Sequence, residues 1–361
     1  MFSGSYPQGD VTFLLQKLDL QPIEDVEVKE RLIQSGQRHY SEVIGVEAQP
    51  TAEYLRLFEE SVQLNLECMA RDLYRMAGAI RERRRHGITL VSLARAGTPV
   101  GVALRHLYRD LFDLDLTHYS ISIIRDRGID TAALDYICSR HDPASIAFVD
   151  GWTGKGAIGR ELERSVAQYA AQRDLAVSNE LFVLCDLAGI AAGCGSTEDY
   201  LIPSAILNAT VSGLVSRTIL NESIQPGQFH GCLYYDALAA HDRSSWFVDR
   251  LRAQVIQDRE QLAGDAAPAL DLASVRARSE QLVSDLMRRH DVVDRNYIKP
   301  GIGEATRSML RRVPRLLVLR DPSAQCVRHL MLLAQQRAVP LCLDPALPLN
   351  AATIIRKLAD A

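Results

Sequence analysis

The chain has 361 residues, of which 47% are hydrophobic and 24% are charged, a composition typical of a globular protein with two or three domains. The net charge of -4 excludes a general attraction to nucleic acid or anionic membranes, so any RNA-binding surface must be local. The sequence contains no apolar run of membrane-spanning length and no N-terminal signal-peptide pattern. Seven scattered cysteines without a CxxC pair indicate reduced thiols and a cytoplasmic protein.

Apolar residues recur at helical spacing between residues 52 and 85, which predicts one long amphipathic helix or two shorter ones. Farther along, polar loops and amphipathic helices alternate with short apolar strands, which are expected at 88–94, 118–124, 145–150 and 181–186. This alternation predicts an α/β fold with a parallel sheet and helices on both faces.

The remaining chain is less regular at first and then becomes compact again. Residues 264–269 read as a linker within a charged helical stretch, and the chain after residue 299 shows a helix–strand–helix–strand pattern that ends in a helix predicted from Ala351. The predicted segments are an α/β domain with an N-terminal helical extension, a helical linker and a small C-terminal α/β domain, at 1–260, 261–295 and 296–361.

Ligands of open parallel sheets bind outside the carboxyl ends of the strands. The loop after the first strand contains Arg95, Ala96, Gly97 and Thr98 and leads directly into a helix. Its small residues let the backbone approach an anion, and Arg95 supplies a fixed positive charge. An ordinary tight turn with an exposed arginine explains the same residues equally well.

The loop after the third strand is the stronger anion-binding candidate. Its backbone amides and the Thr153 hydroxyl suit a phosphate, while Asp150 at the strand tip suits sugar hydroxyls or Mg²⁺. Trp152 is expected to be exposed, which favours a functional loop over a structural turn. The predicted binding residues are Gly151, Trp152, Thr153, Gly154, Lys155, Gly156 and Ala157.

Two further loops carry charged candidates. Arg125 and Arg127, after the second strand, would either clamp phosphate oxygens or simply be solvated. Asp186, at the end of the fourth strand, is a candidate ligand-binding residue that a helix cap explains nearly as well.

Several motifs resemble known families. VSLARAGTPVG and IAFVDGWTGKGA are similar, in order and spacing, to the pyrophosphate and 5-phosphate loops of type I phosphoribosyltransferases. With FSGSYPQGDVTFLL, SGQRHYSE, HYSISIIRDRGID and FHGCLYY, they resemble the StiP-type family of tellurite-resistance and stress gene clusters over residues 2 to 260. KPGIGEATRSMLRRV and RLLVLRDP resemble the PELOTA RNA-binding domain, an L7Ae-like α/β fold.

The resemblance implies a Rossmann-like sheet of the type I phosphoribosyltransferase kind. It also implies an enzyme that uses phosphoribosyl pyrophosphate, Mg²⁺ and a base-like acceptor to make a nucleoside-like metabolite, with a homodimer as the expected assembly. Asp150, Arg95, Arg125 and Arg127 would form the catalytic set, and Asp150 would hold the metal.

Two alternatives stay open at this point. One is an RNA-binding regulator that senses phosphoribosyl pyrophosphate without turnover, for which the tail offers the basic residues Arg307, Arg311, Arg312 and Arg320 for a structured RNA. The other is a cysteine protease, a label that StiP-type proteins also carry. It needs an activated thiolate near a histidine, and Cys194 and Cys232 are the candidate thiols.

Overall fold

The computed structural model describes residues 1–265 and 269–358. Residues 266–268 of the predicted linker and 359–361 of the predicted C-terminal segment lie outside the described residues. The α-helices are α1 (Val26–Gln34), α2 (Ala52–Arg83), α3 (Thr98–Phe112), α4 (Thr131–Cys138), α5 (Ala157–Arg173), α6 (Pro203–Ile206), α7 (Ser244–Gln257), α8 (Arg259–Gly264), α9 (Leu272–Arg289), α10 (Gly301–Arg311) and α11 (Arg328–Gln336). Within the described chain, none of them is both long and apolar enough to cross a membrane.

The strands are mostly short. They are β1 (Thr12–Phe13), β2 (Gln16–Lys17), β3 (Thr89–Leu93), β4 (His118–Ile121), β5 (Ile123–Ile124), β6 (Gly128–Ile129), β7 (Ile146–Thr153), β8 (Leu181–Asp186), β9 (Gly193–Ser196), β10 (Gly231–Cys232), β11 (Ile298–Pro300), β12 (Pro314–Leu319), β13 (Leu341–Leu343) and β14 (Ala351–Ile355).

The main sheet has six strands in the order β1-β4-β3-β7-β8-β9, and every neighbouring pair is parallel. Strands β3, β4 and β8 are buried along their whole length, as expected for a parallel sheet covered on both faces. The α/β fold with a parallel sheet is therefore confirmed. Its finer assignment to the type I phosphoribosyltransferase kind stays a prediction.

Helices pack on both faces of this sheet because successive strand residues point to opposite sides. Ala147 and Val149 of β7 join the hydrophobic cluster formed with α2, α3 and α7. Ile146 and Phe148, one position out of phase, join the cluster formed with α4 and α5. The apolar pattern between residues 52 and 85 belongs to one continuous helix, α2, which Thr51 caps by accepting a hydrogen bond from Tyr54 N.

The C-terminal part forms a second, four-stranded sheet in the order β11-β14-β12-β13. β14 runs antiparallel to β11 and β12, whereas β13 runs parallel to β12. The small α/β domain is thus confirmed, but the helix predicted from Ala351 is wrong. The sequence there, Ala-Ala-Thr-Ile-Ile, is buried throughout and rich in β-branched residues, which favour a strand between two neighbours.

Candidate functional site

Helix α10 of the C-terminal domain lies against the end of β7 and the loop that follows it. Gly303, Arg307 and Arg311 are spaced four residues apart, so they share one face of this helix. A Cβ atom on Gly303 would lie 2.6 Å from Cε2 of Trp152, and the Arg307 guanidinium lies 4.4 Å from the centroid of the Trp152 ring. Glycine at position 303 therefore permits the close approach of α10 to the predicted phosphate loop.

Asp199 fixes α10 in this position. Its Oδ1 accepts a hydrogen bond from Ile302 N at 2.8 Å, and its Oδ2 accepts one from Asn350 N at 2.8 Å. Burial raises the pKa of Asp199 to about 6, while the amides that bind its ionised form oppose the shift. A single carboxylate thus connects the larger domain to the helix N-terminus and to the strand β14 region of the smaller one.

The contact with α10 changes the interpretation of the loop after β7. Trp152 was expected to be exposed, but only 8% of it is, because it packs under α10. The Glu304 side chain lies close to Gly154, and Lys155 Nζ donates a hydrogen bond to Arg295 O at 2.7 Å. The tryptophan is therefore explained by domain packing and does not itself indicate ligand binding.

Asp150, predicted at the tip of a strand, lies within β7, which continues to Thr153, and it accepts a hydrogen bond from Gly151 N at 2.8 Å. Burial raises its pKa to about 6, although the Arg307 guanidinium opposes the shift. The charged side chain that acts on Asp150 is thus a cation. No group of three or more His, Cys, Asp or Glu residues that could hold a metal occurs within the described chain. These surroundings do not fit the expected Mg²⁺.

Thr153 and Asp186 bind each other instead of facing an open site. The Thr153 hydroxyl donates a hydrogen bond to Asp186 Oδ1, which also accepts from Ala188 N at 3.1 Å and Gly189 N at 2.9 Å. Asp186 Oδ2 accepts from Ala191 N at 2.8 Å, and the side chain is fully buried. Asp186 thereby holds the turn between β8 and β9, and it caps no helix because none lies between these two strands in the described chain.

Most of the loop after β3 is packed against the sheet. A Cβ atom on Gly97 would lie 2.3 Å from Val149 O, so glycine is required for the close contact with β7. Thr98 Oγ1 shares a 2.8 Å hydrogen bond with Ser120 Oγ, and Ala96 is only 6% exposed. These three residues fit the tight-turn interpretation.

Arg95 differs from its neighbours because it lines a cavity. Its Nη1 donates to Glu47 Oε2 at 3.0 Å and to Val215 O at 2.9 Å. The side chain is buried, contrary to an exposed arginine on an ordinary turn.

The two arginines after the second strand lie in different surroundings. Arg125 Nε pairs with Asp126 Oδ2 at 3.0 Å, its backbone N–H donates to the Tyr40 hydroxyl, and its side chain lines a cavity. Arg127 is exposed and pairs with Glu42, outside that cavity. Only Arg125 therefore lies beside the loop after β7.

We call this space the loop cavity, of about 280 Å³, at the N-terminus of α5. Gly156, with φ of 73°, makes the left-handed turn that begins α5. Burial lowers the pKa of Lys155 to about 7, and Lys299 acts in the same direction. Five basic and two acidic side chains line the cavity, whose residues are Arg125, Asp126, Lys155, Ala157, Arg160, Glu161, Arg164, Arg295 and Asn296.

A second cavity, of about 740 Å³, lies between α1, the segment 44–51 and the end of α10. We call it the arginine cavity. Its basic lining residues are Lys29, Arg95, Arg217, Arg311 and Arg312, and its acidic ones are Glu24, Glu30 and Glu47. Its lining shares no residue with that of the loop cavity.

The structure separates the four arginines predicted to bind RNA. Arg307 stacks on Trp152, whereas Arg311 and Arg312 line the arginine cavity, and all three are partly buried. Arg312 Nε also pairs with Glu30 Oε2 at 2.7 Å. Only Arg320 is exposed. The basic face of α10 therefore points toward the larger domain.

The cysteines do not form an evident thiolate–histidine pair. Cys185, Cys194 and Cys232 are buried, and burial raises the pKa of both Cys194 and Cys232 to about 12. Hydrogen bonds between a cysteine sulfur and a histidine ring are absent from the parts of the chain that the structure describes. His230, two residues from Cys232, hydrogen-bonds Ser122 Oγ through Nδ1 at 2.8 Å.

Sequence reasoning missed the basic residues that complete both cavities. Lys29 comes from a segment without a ligand-binding motif, and it reaches the arginine cavity only through the tertiary fold. The loop cavity gains its additional cations in the same way, from Arg160, Arg164 and Arg295. The one available signal was helical periodicity, which places Arg160 and Arg164 on one face of α5.

Comparison with known proteins defines the class of this two-domain arrangement. Residues 4–252 match the family described as "Tellurite-like stress resistance cysteine protease StiP", and residues 277–357 match the PELOTA RNA binding domain. The chain therefore belongs to the StiP family. It is 43% identical to a protein of Acinetobacter baylyi named "Cysteine protease StiP", over 99% of this chain and 95% of the other.

These comparisons confirm the predicted StiP and PELOTA resemblances but contradict the predicted activity. The family description and the relative's name both specify a cysteine protease, and neither supports a phosphoribosyltransferase that uses phosphoribosyl pyrophosphate and a base-like acceptor. The phosphoribosyltransferase prediction is therefore wrong. The prediction assigned an activity on the likeness of two loops to those of another family. A loop motif constrains the local backbone shape more strongly than the chemistry that occurs there. The homodimer and the cytoplasmic location stay predictions.

Proposed function

We propose that this protein is an enzyme of tellurite-like stress resistance whose substrate carries an anionic group bound in the loop cavity. The names of the family and of the Acinetobacter relative support an enzyme with a role in stress resistance. The observation that carries the anionic substrate is the charge of the cavity, with five basic and two acidic side chains around the N-terminus of a helix.

Lys155 is the central residue of this proposal. It is only 7% exposed, and its ammonium donates to a backbone carbonyl instead of a carboxylate. Because its pKa is about 7, a bound anion would stabilise the charged form of Lys155. A volume of about 280 Å³ suits one phosphate or carboxylate group with a short attachment more than a whole large substrate.

Asp150 lies on strand β7 and does not line the loop cavity. Its raised pKa of about 6 is explained by its burial, and we assign it no role in binding or catalysis there.

Calorimetric titration of inorganic phosphate into the full chain tests the site. We expect Lys155→Gln to weaken binding at least tenfold, because the innermost cation of the cavity is removed. Lys17→Gln, which neutralises an exposed lysine outside the cavity, serves as the matched control. Equal affinities for wild type and Lys155→Gln would contradict the assignment.

A thiol peptidase is the second candidate function, favoured by the description of the family and the name of the relative. It requires a thiolate, yet burial raises the pKa of Cys68, Cys194 and Cys232 to about 12. Hydrolysis of unfolded casein by the purified protein, before and after alkylation with iodoacetamide, tests it. Loss of hydrolysis on alkylation, and in one single Cys→Ser variant, would establish the peptidase. Casein hydrolysis that withstands complete alkylation would exclude a thiol mechanism.

The PELOTA match supports RNA binding by the C-terminal domain. While α10 is docked, Arg315, Arg320 and Arg328 are among the exposed arginines of this domain that are available to phosphates. We expect Arg320→Gln to weaken binding of a structured RNA to the full chain at low salt. Unchanged affinity would place the RNA surface elsewhere.

A further inference from the structure

The arginine cavity has an excess of two positive charges, from five basic and three acidic side chains. Two of its cations have carboxylate partners in the wall. Arg95 pairs with Glu47 at 3.0 Å, and Arg312 pairs with Glu30 at 2.7 Å.

Arg217 and Arg311 have no carboxylate partner within residues 1–265 and 269–358. Arg217 donates through Nη2 to Val43 O, but its Nη1 is buried without a hydrogen-bond partner. Nη2 of Arg311 is also buried without one. Burial, together with nearby Arg95, lowers the pKa of Arg311 well below its usual range. Buried donors are rarely left unpaired in folded proteins, and buried charges are normally paired.

The uncharged lining suggests what else the ligand carries. Tyr40 and Tyr235 provide aromatic surface, and Ile44 and Leu207 provide apolar surface. Asn208 Oδ1 is a buried acceptor without a partner in the described chain, which suits a hydroxyl or amine donor. The volume of about 740 Å³ is that of a site for a whole small molecule.

We propose that the arginine cavity binds a small phosphate monoester, with the phosphate held by Arg217 and Arg311 and the organic part against Tyr40 and Tyr235. A phosphate monoester carries close to two negative charges at neutral pH and three acceptor oxygens, which match the two excess charges and the unpaired donors. Arg311 comes from α10 and Arg217 from the larger domain, so the ligand connects the two domains. This site is separate from the loop cavity of the proposed function.

Calorimetry with phenyl phosphate tests this proposal, because this probe combines one phosphate with one aromatic ring. We expect phenyl phosphate to bind the full chain at least tenfold more tightly than benzenesulfonate, which has a similar shape but one charge. Arg217→Gln and Arg311→Gln should each weaken phenyl phosphate at least tenfold. Arg288→Gln, an exposed arginine on α9, should leave it unchanged. Equal affinity for the two probes, or binding unaffected by both cavity variants, would overturn the proposal.

Three further measurements distinguish this site from the loop cavity and from a structural role. Lys155→Gln should leave the Arg311-dependent binding of phenyl phosphate intact. The proposed binding at each cavity is therefore tested by a separate variant. Without ligand, Arg311→Gln should raise the melting temperature, because it removes an uncompensated buried charge. A lower melting temperature would mean that Arg311 stabilises the fold and would contradict a ligand-binding role. Arg311→Lys, which keeps the charge but loses the bidentate geometry, should bind phenyl phosphate with intermediate affinity.

Discussion

The loop cavity and the arginine cavity are both basic, but their cations are satisfied differently. In the loop cavity, Arg125 pairs with Asp126 at 3.0 Å, and Arg164 pairs with Glu161. Both arginines are at least one-third exposed, so water also solvates them. In the arginine cavity, Arg217 and Arg311 keep buried nitrogens without partners. The comparison teaches that buried cations without a partner add to the indication of a ligand that an excess of basic residues gives.

The largest effect is expected from Asp199→Ala, which removes the carboxylate that holds α10. The buried amides of Ile302 and Asn350 would lose their acceptor, so the free energy of unfolding should fall by about 3 kcal/mol or more. Urea denaturation measures this loss. Asp321→Ala, which removes an exposed carboxylate of the C-terminal domain, should change stability far less.

The same variant tests the separation of the two cavities. Undocking α10 removes Arg311 and Arg312 from the arginine cavity, whereas most basic residues of the loop cavity belong to the larger domain. We expect Asp199→Ala to abolish phenyl phosphate binding that depends on Arg311 but to change phosphate binding that depends on Lys155 less than about threefold. Equal losses at both cavities would show that they act as one site.

A smaller effect is expected from Gly303→Ala. The new methyl group would lie 2.6 Å from the buried Trp152 ring, so α10 must move or the ring must turn. Overpacking of this kind should lower the free energy of unfolding by about 1–2 kcal/mol after the better helix propensity of alanine is included. Gly78→Ala in α2 is the control, because nothing lies within 4 Å of its Cβ position. Thermal denaturation should show stabilisation for that control and destabilisation at position 303.

Asp150→Asn should stabilise the protein at neutral pH by about 1 kcal/mol. The folded-state pKa of Asp150 is raised from 3.8 to about 6, so burying its ionised form destabilises the fold above pH 6 and does not below pH 3.8. The stability difference between wild type and variant should therefore grow as the pH rises from 4 to 6. A constant difference across that range, measured by urea denaturation, would contradict the raised pKa.

The sequence predicted the sheet better than the site. Strands such as β3 and β8 are continuous apolar segments between turn residues, so their positions and parallel order follow from local pattern. The helix predicted at Ala351 failed because β14 forms only through pairing with β11 and β12, which lie more than thirty residues earlier in the chain. Local sequence carries no record of such pairing.

The arrangement of the candidate site depends even more on contacts between residues far apart in the sequence. Lys155 and Arg125 were identified because each follows a predicted strand. Trp152 and Arg307 were interpreted as an exposed ring and an exposed cation, yet they contact each other across the domain interface. A basic helix face looks the same in the sequence whether it meets RNA or another part of its own chain.

The smallest effect is expected from the pH dependence of the arginine cavity. Burial lowers the pKa of Lys29 to about 8, with neighbouring Glu30 opposing the shift and Arg217, Arg311 and Arg312 adding to it. Above pH 8 Lys29 loses its charge, so sulfate, which keeps two charges throughout, should bind this cavity about threefold more weakly at pH 9 than at pH 7. Lys29→Arg should remove this dependence because a guanidinium stays charged. If Lys29→Arg keeps the same pH dependence of sulfate binding, a group other than Lys29 controls the charge of the arginine cavity.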